Sequence, residues 1–275
     1  MIVLWIDKTE IEDRALKVRQ EHNVQTYGIK DIFGMIDQRG IDLIRYPFGK
    51  DELLGFSTVF EGKKIIVSNS SEILSRELFT IAHELGHIIY DFEGSNRDVK
   101  IDIEMDEETE DIPENRAFYF ANCLLMPEEQ MIKFIKYVLK KKYKELNALD
   151  IVRIQLEFQV SYAAAVKRLY DLNSITFNHK NELFNERNCI TSKSLFKMIE
   201  ADEKLLKSID IIQVPSRYYE YVTSNYENGY IPFTSLQKTL ALIGIDAEIL
   251  KKEEKNEAEL DIDDIFEEFK LWMHH

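Results

Sequence analysis

His83, Glu84 and His87 stand in an H-E-x-x-H pattern inside the mostly apolar run of residues 79–87. On a helix, residues four apart lie on one face one turn from each other, so both imidazoles can aim a nitrogen at a single metal ion. These donors and this spacing predict a zinc site. Glu84 projects beside the pair, where its carboxylate can hold and deprotonate a water that the metal has made acidic. The competing reading is an accidental grouping on a core helix, and it weakens only if a further ligand can be found.

A catalytic zinc takes three protein ligands and leaves a position for water, so two histidines are not enough. Downstream lie His179 and an acidic run, with eight acids among the thirteen residues 102–114. Most of that run has the character of a solvated loop. Only Glu114 joins a carboxylate to a predicted helix. Asp111-Ile112-Pro113 is a helix-start signal, and Glu114, Ala117, Ala121 and Leu124 then fall on one stripe before Pro127 ends the helix. The two alanines would let this helix lie close against the motif helix, as a shared metal requires.

The elements that must position these residues follow from periodicity. Residues 7–23 read as an amphipathic helix, and a second short one carries Ile32, Phe33 and Ile36. Strands are expected at 41–46, 55–60 and 64–68, the last two joined at Glu61-Gly62-Lys63. Asn69 and Glu72 stand in capping-box spacing, which places the motif helix at about 72–90. A helix from Pro127 has Lys133, Lys136, Lys140 and Lys144 striping one side, more simply a solvated face than a binding surface. Residues 148–172 have the outline of a helix-turn-helix, and Lys167 and Arg168 could reach phosphates. The polar stretch 176–188 reads as a linker, and mostly helical segments follow, ending in an amphipathic helix at 261–272. The expected class is α+β, predominantly helical, with regions at 1–130, 131–175 and 189–275.

A chain of 275 residues with 45% hydrophobic content can bury more than one core. A net charge of −15 disfavours non-specific nucleic-acid binding, so a nucleic-acid partner is only weakly supported. Two widely separated cysteines, Cys123 and Cys189, give neither a disulfide framework nor a cysteine-rich metal site. The apolar start is only six residues long, and no later run nears the about 20 that a membrane span needs. A cytoplasmic protein with no membrane partner is expected. His274 and His275 could be a tag remnant and carry no weight as ligands.

With the second motif in place, the chain resembles the ImmA/IrrE metallopeptidases, which are similar to short gluzincins. The resemblance rests on Phe79-Thr80-Ile81-Ala82-His83-Glu84-Leu85-Gly86-His87 and on Glu114, Ala117, Phe120-Ala121 and Leu124-Leu125-Met126-Pro127. It implies a zincin-like domain with a small N-terminal sheet, zinc bound by His83, His87 and Glu114, and Glu84 as the catalytic base. Phe118 departs from the asparagine that the family often places after the alanine. The resemblance further implies an endopeptidase whose substrate is a helix-turn-helix transcriptional repressor, cleaved to relieve repression in a phage, mobile-element, stress or defence system. The alternatives are a non-proteolytic regulator that binds DNA or a partner protein, and the peptidase-fold half of a toxin and antitoxin pair. An extended substrate is expected along the edge of strand 55–60 or 64–68, with Tyr90 and Arg97 as candidates for stabilising an oxyanion.

Overall fold

The computed structural model describes residues 7–50, 52–92, 100–102 and 111–250. The helix expected at 261–272, Arg97, the terminal histidines and most of the acidic run lie outside the described residues. The chain divides into two compact units, Met1–Pro215 and Ser216–His275.

The first unit opens with α1 (Lys8–Glu21), capped by the Asp7 carboxylate, and α2 (Ile32–Gln38), capped by Asp31. Three strands follow: β1 (Asp42–Tyr46), β2 (Gly55–Phe60) and β3 (Lys63–Asn69). The turn between β2 and β3 has Glu61 and Gly62 both at positive φ, 49° and 77°, the geometry that suits the twist of a two-residue hairpin. A short β4 (Lys100–Asp102) completes a four-stranded sheet in the order β1-β3-β2-β4, with β1 parallel to β3 and the other pairs antiparallel. The strand 64–68 is thus interior and offers no edge for a substrate. Over Gly55, Phe56 and Ser57 the outer edge of β2 is also paired, with β4.

The motif helix is α3 (Leu74–Tyr90), almost wholly buried against the sheet on one side and α4 (Ile112–Leu125) on the other. It starts two residues later than expected. Asn69 does not cap it: the Asn69 carboxamide binds the loop that precedes β2, accepting from Phe48 N and donating to the Gly49 and Leu53 carbonyls. Instead the Leu74 N–H donates to the Lys207 carbonyl at 2.9 Å, so a distant strap takes up the helix end. The same strap pairs with β1 through Arg45 and Gln213.

The crossing of α3 and α4 is set by small residues. A Cβ built on Gly86 would lie 2.9 Å from the Ala117 Cα and 3.2 Å from its Cβ, so only a glycine facing an alanine allows this approach. The far end of α4 is held by two buried guanidinium groups. Arg19 donates to the Leu124 carbonyl at 2.9 Å and Arg168 to that of Met126 at 3.1 Å, placing positive charge at the helix C-terminus, where the dipole favours it.

Beyond α5 (Glu128–Lys133) one further π-helical turn runs to Leu139. Helices α6 (Ala148–Phe158) and α7 (Tyr162–Asp171) form the expected hairpin, turned by Gln159 in the left-handed conformation and capped by Ser161. Arg168 is not available to phosphates, being buried beneath α4. Residues 176–188 are not a linker. They form α8 (Phe177–Cys189), whose Leu183 is fully buried and whose backbone accepts from the Tyr162 hydroxyl, followed by α9 (Ser192–Met198). The core of this unit is continuous from Ile11 to Leu205.

The second unit packs α10 (Ser216–Glu227), α11 (Phe233–Ala241) and a 3-10 turn (Ala247–Leu250) around Val222, Leu236, Leu240 and Ala247. No helix among the described residues is long and apolar enough to cross a membrane.

Candidate metal centre

His83 and His87 lie one turn apart on the face of α3 that meets α4, and Glu114 is in the first turn of α4, behind Pro113. The His83 Nε2 lies 3.1 Å from the His87 Nε2 and 3.2 Å from one Glu114 oxygen, while the His87 Nε2 is 3.4 Å from the other oxygen. Tetrahedral bonds of about 2.0–2.1 Å to zinc put two donors about 3.3–3.4 Å apart. The three side chains therefore fit a small, tetrahedrally bound cation. They are the one group of three metal-ligating side chains brought together among the described residues.

Neighbouring groups orient these donors. The His87 Nδ1 hydrogen-bonds the Asp91 carboxylate at 2.6 Å, which turns Nε2 toward the other two donor groups. Arg116 donates to the second oxygen of Asp91 and lies over the Tyr90 ring, with 4.8 Å to its centroid. Burial disfavours charge on His87, but the hydrogen bonds to Asp91 and Glu114 and the charge of Glu84 outweigh it and raise the imidazole to about 10. Burial pushes Asp91 the other way, and its bonds to His87 and Arg116 prevail and hold it below the usual carboxylate range. Protons and a metal ion thus compete for the same inward-facing nitrogen.

Glu84 is 1% exposed and accepts a hydrogen bond of 2.6 Å from the Ser57 hydroxyl on β2. Gly55, two residues before, makes this strand's approach possible: a Cβ there would meet the Thr80 side chain at 2.6 Å and the Val67 carbonyl at 2.8 Å.

The residues expected at the site, His83, Glu84, His87 and Glu114, are together. The others are elsewhere: His179 binds the Leu146 carbonyl at 2.9 Å, and Tyr90 packs under Arg116 near Glu10 and Arg14, on the α1 side. Sequence reasoning missed Asp91, Arg116 and Ser57. Asp91 had a readable signal, a carboxylate four residues after His87 on the same helix; Ser57 had none, because its place depends on strand register.

The sequence pattern of the IrrE N-terminal-like domain, which defines a family of peptidases, matches residues 36–170. Residues 36–170 thus carry an IrrE N-terminal-like domain. All four site residues and Ser57 lie inside the IrrE-like domain, and so do α6 and most of α7. Among solved structures, a Mycobacterium tuberculosis transcriptional regulator is similar at 16% identity with a TM-score of 0.38, over 60% of this chain and 47% of that one. The chain therefore spans about half the length of that regulator. No curated protein matches this chain.

Proposed function

We propose that this chain is a zinc-dependent endopeptidase that cleaves one protein partner, a helix-turn-helix transcriptional repressor, and so relieves repression in a phage, mobile-element, stress or defence system. The observation that carries the reading is the convergence of two imidazole nitrogens and a carboxylate beside the buried Glu84, inside a peptidase-family domain. A zinc ion held by His83, His87 and Glu114 would supply the Lewis acidity that makes a water acidic and polarises a peptide carbonyl.

The rest of the chemistry belongs to the chain. Glu84 takes a proton from the attacking water and hands it to the leaving amine, a transfer that needs its carboxylate held in one place. The Ser57 hydroxyl holds it. Asp91 keeps the His87 ring turned toward its partners, and Arg116 in turn fixes Asp91.

The test is a repressor-controlled reporter with the wild-type chain or Glu84→Gln, each assayed for zinc. The wild type relieves repression and Glu84→Gln does not, with one zinc bound by both. Relief that survives the substitution in the zinc-bound protein rules out proteolysis as its cause.

A further inference from the structure

Two ladders of side chains run away from the metal centre on the facing helices. On α3 they are His83, Phe79 and Ser75, each one turn from the next; on α4 they are Glu114, Phe118 and Asn122. Each step is about 6 Å along the helix axis. The result is a metal tier, an aromatic tier and a polar tier. Phe79 and Phe118 contact each other with ring centroids 5.2 Å apart and form the middle tier.

From the aromatic and polar tiers, Phe79, Phe118, Ser75 and Asn122 line a cavity of about 430 Å³, ample for the largest natural side chain, whose third wall is α7, where Ala164, Lys167 and Asp171 line it. The small alanine leaves the width. The polar tier is the informative part: Ser75 is 1% exposed in the cavity wall, and its buried hydroxyl has no hydrogen-bond partner. A buried hydroxyl left unbonded is costly unless something arrives to bond it. Asn122 beside it donates to the Phe118 carbonyl at 3.1 Å, which turns the amide oxygen of its side chain into an acceptor for an incoming group.

We propose that this cavity is the specificity subsite for a residue flanking the cut bond, and that it selects an aromatic side chain tipped with a hydroxyl, tyrosine. The proposal rests on the peptidase reading and deepens it. A phenol ring packs between the two phenylalanines and the alanine wall, and its hydroxyl reaches Ser75 and Asn122. A leucine fills less of the volume and leaves Ser75 unbonded; a phenylalanine fills it and still leaves Ser75 unbonded.

The experiment measures binding rather than turnover. Peptide hydroxamates, which anchor on zinc and differ only in the adjoining residue, are titrated calorimetrically into the zinc-loaded full chain. Burying the ring should make tyrosine bind about 10- to 100-fold more tightly than alanine. Its hydroxyl should add about fivefold over phenylalanine. Ser75→Ala should erase the second ratio and keep the first, whereas Ala164→Phe, which fills the cavity, should erase the first.

Equal binding of tyrosine and alanine compounds overturns the subsite, as does an unchanged preference in Ala164→Phe or the failure of every hydroxamate to bind. The same variants are offered a peptide library with one randomised position. A pocket-dependent preference in hydroxamate binding with no peptide cut upholds the subsite and refutes the peptidase reading. Peptides cut with no preference for tyrosine do the reverse.

Discussion

Arg45 and Glu77 form a bidentate pair beneath the motif helix, with 2.8 Å between Nε and Oε1 and 2.8 Å between Nη2 and Oε2. Their side chains are 5% and 0% exposed, so neither charge has water to fall back on. Glu77 lies on α3 six residues before His83, and Arg45 lies on β1, so the pair fixes the helix to the sheet. Truncating one partner, as Arg45→Met or Glu77→Leu, strands the other charge and should cost about 3–5 kcal/mol. The double substitution removes both charges and leaves only smaller losses. Ser68 loses its 2.9 Å bond to Glu77 and Gln213 its 3.1 Å bond from Arg45, each about 1 kcal/mol, so the double variant should lie within about 2 kcal/mol of wild type. The assay is urea unfolding of the metal-free chain followed by far-UV circular dichroism, with chelator present so that bound metal adds no stability. The coupling between the two sites should then be at least about 4 kcal/mol. A single variant that costs under about 1 kcal/mol, or a double variant as damaged as both singles together, refutes the reasoning.

Three further outcomes are expected. Gly86→Ala forces α3 and α4 apart at Ala117 and should cost about 1–3 kcal/mol while weakening metal binding; unchanged stability and affinity would show that the crossing is not tight. Asp91→Ala frees the His87 ring and should lower zinc affinity about 10- to 100-fold by competition with a chelating dye, while Glu114→Ala, which removes a proposed ligand, should lower it further. Burial raises the Cys123 thiol while Cys189 is exposed, so a thiol reagent should label one cysteine in the native chain and two only after unfolding.

What could be read from the sequence was local. The histidine spacing, the Asp-Ile-Pro helix start and the alanine stripe place His83, His87 and Glu114 by helical geometry alone, and the hairpin turn at Glu61-Gly62 needs only its own residues. What could not be read depends on which segments meet. Ser57 reaches Glu84 only because β2 pairs with β3 in one register, and the Arg45–Glu77 pair joins residues 32 positions apart. Asn69 had the right spacing for a cap, but the loop before β2 offered its carboxamide more partners. Residues 176–188 lack helical periodicity because little of α8 is buried, and the fully buried Leu183 together with the Thr176 cap suffices to hold it as a helix.

The most direct test of the central claim is mass spectrometry of helix-turn-helix repressors after incubation with the zinc-loaded protein. The account predicts two fragments from a single cut with the wild type and intact repressor with Glu84→Gln, both proteins holding one zinc. Intact repressor with both, or the same fragments from both, would contradict it.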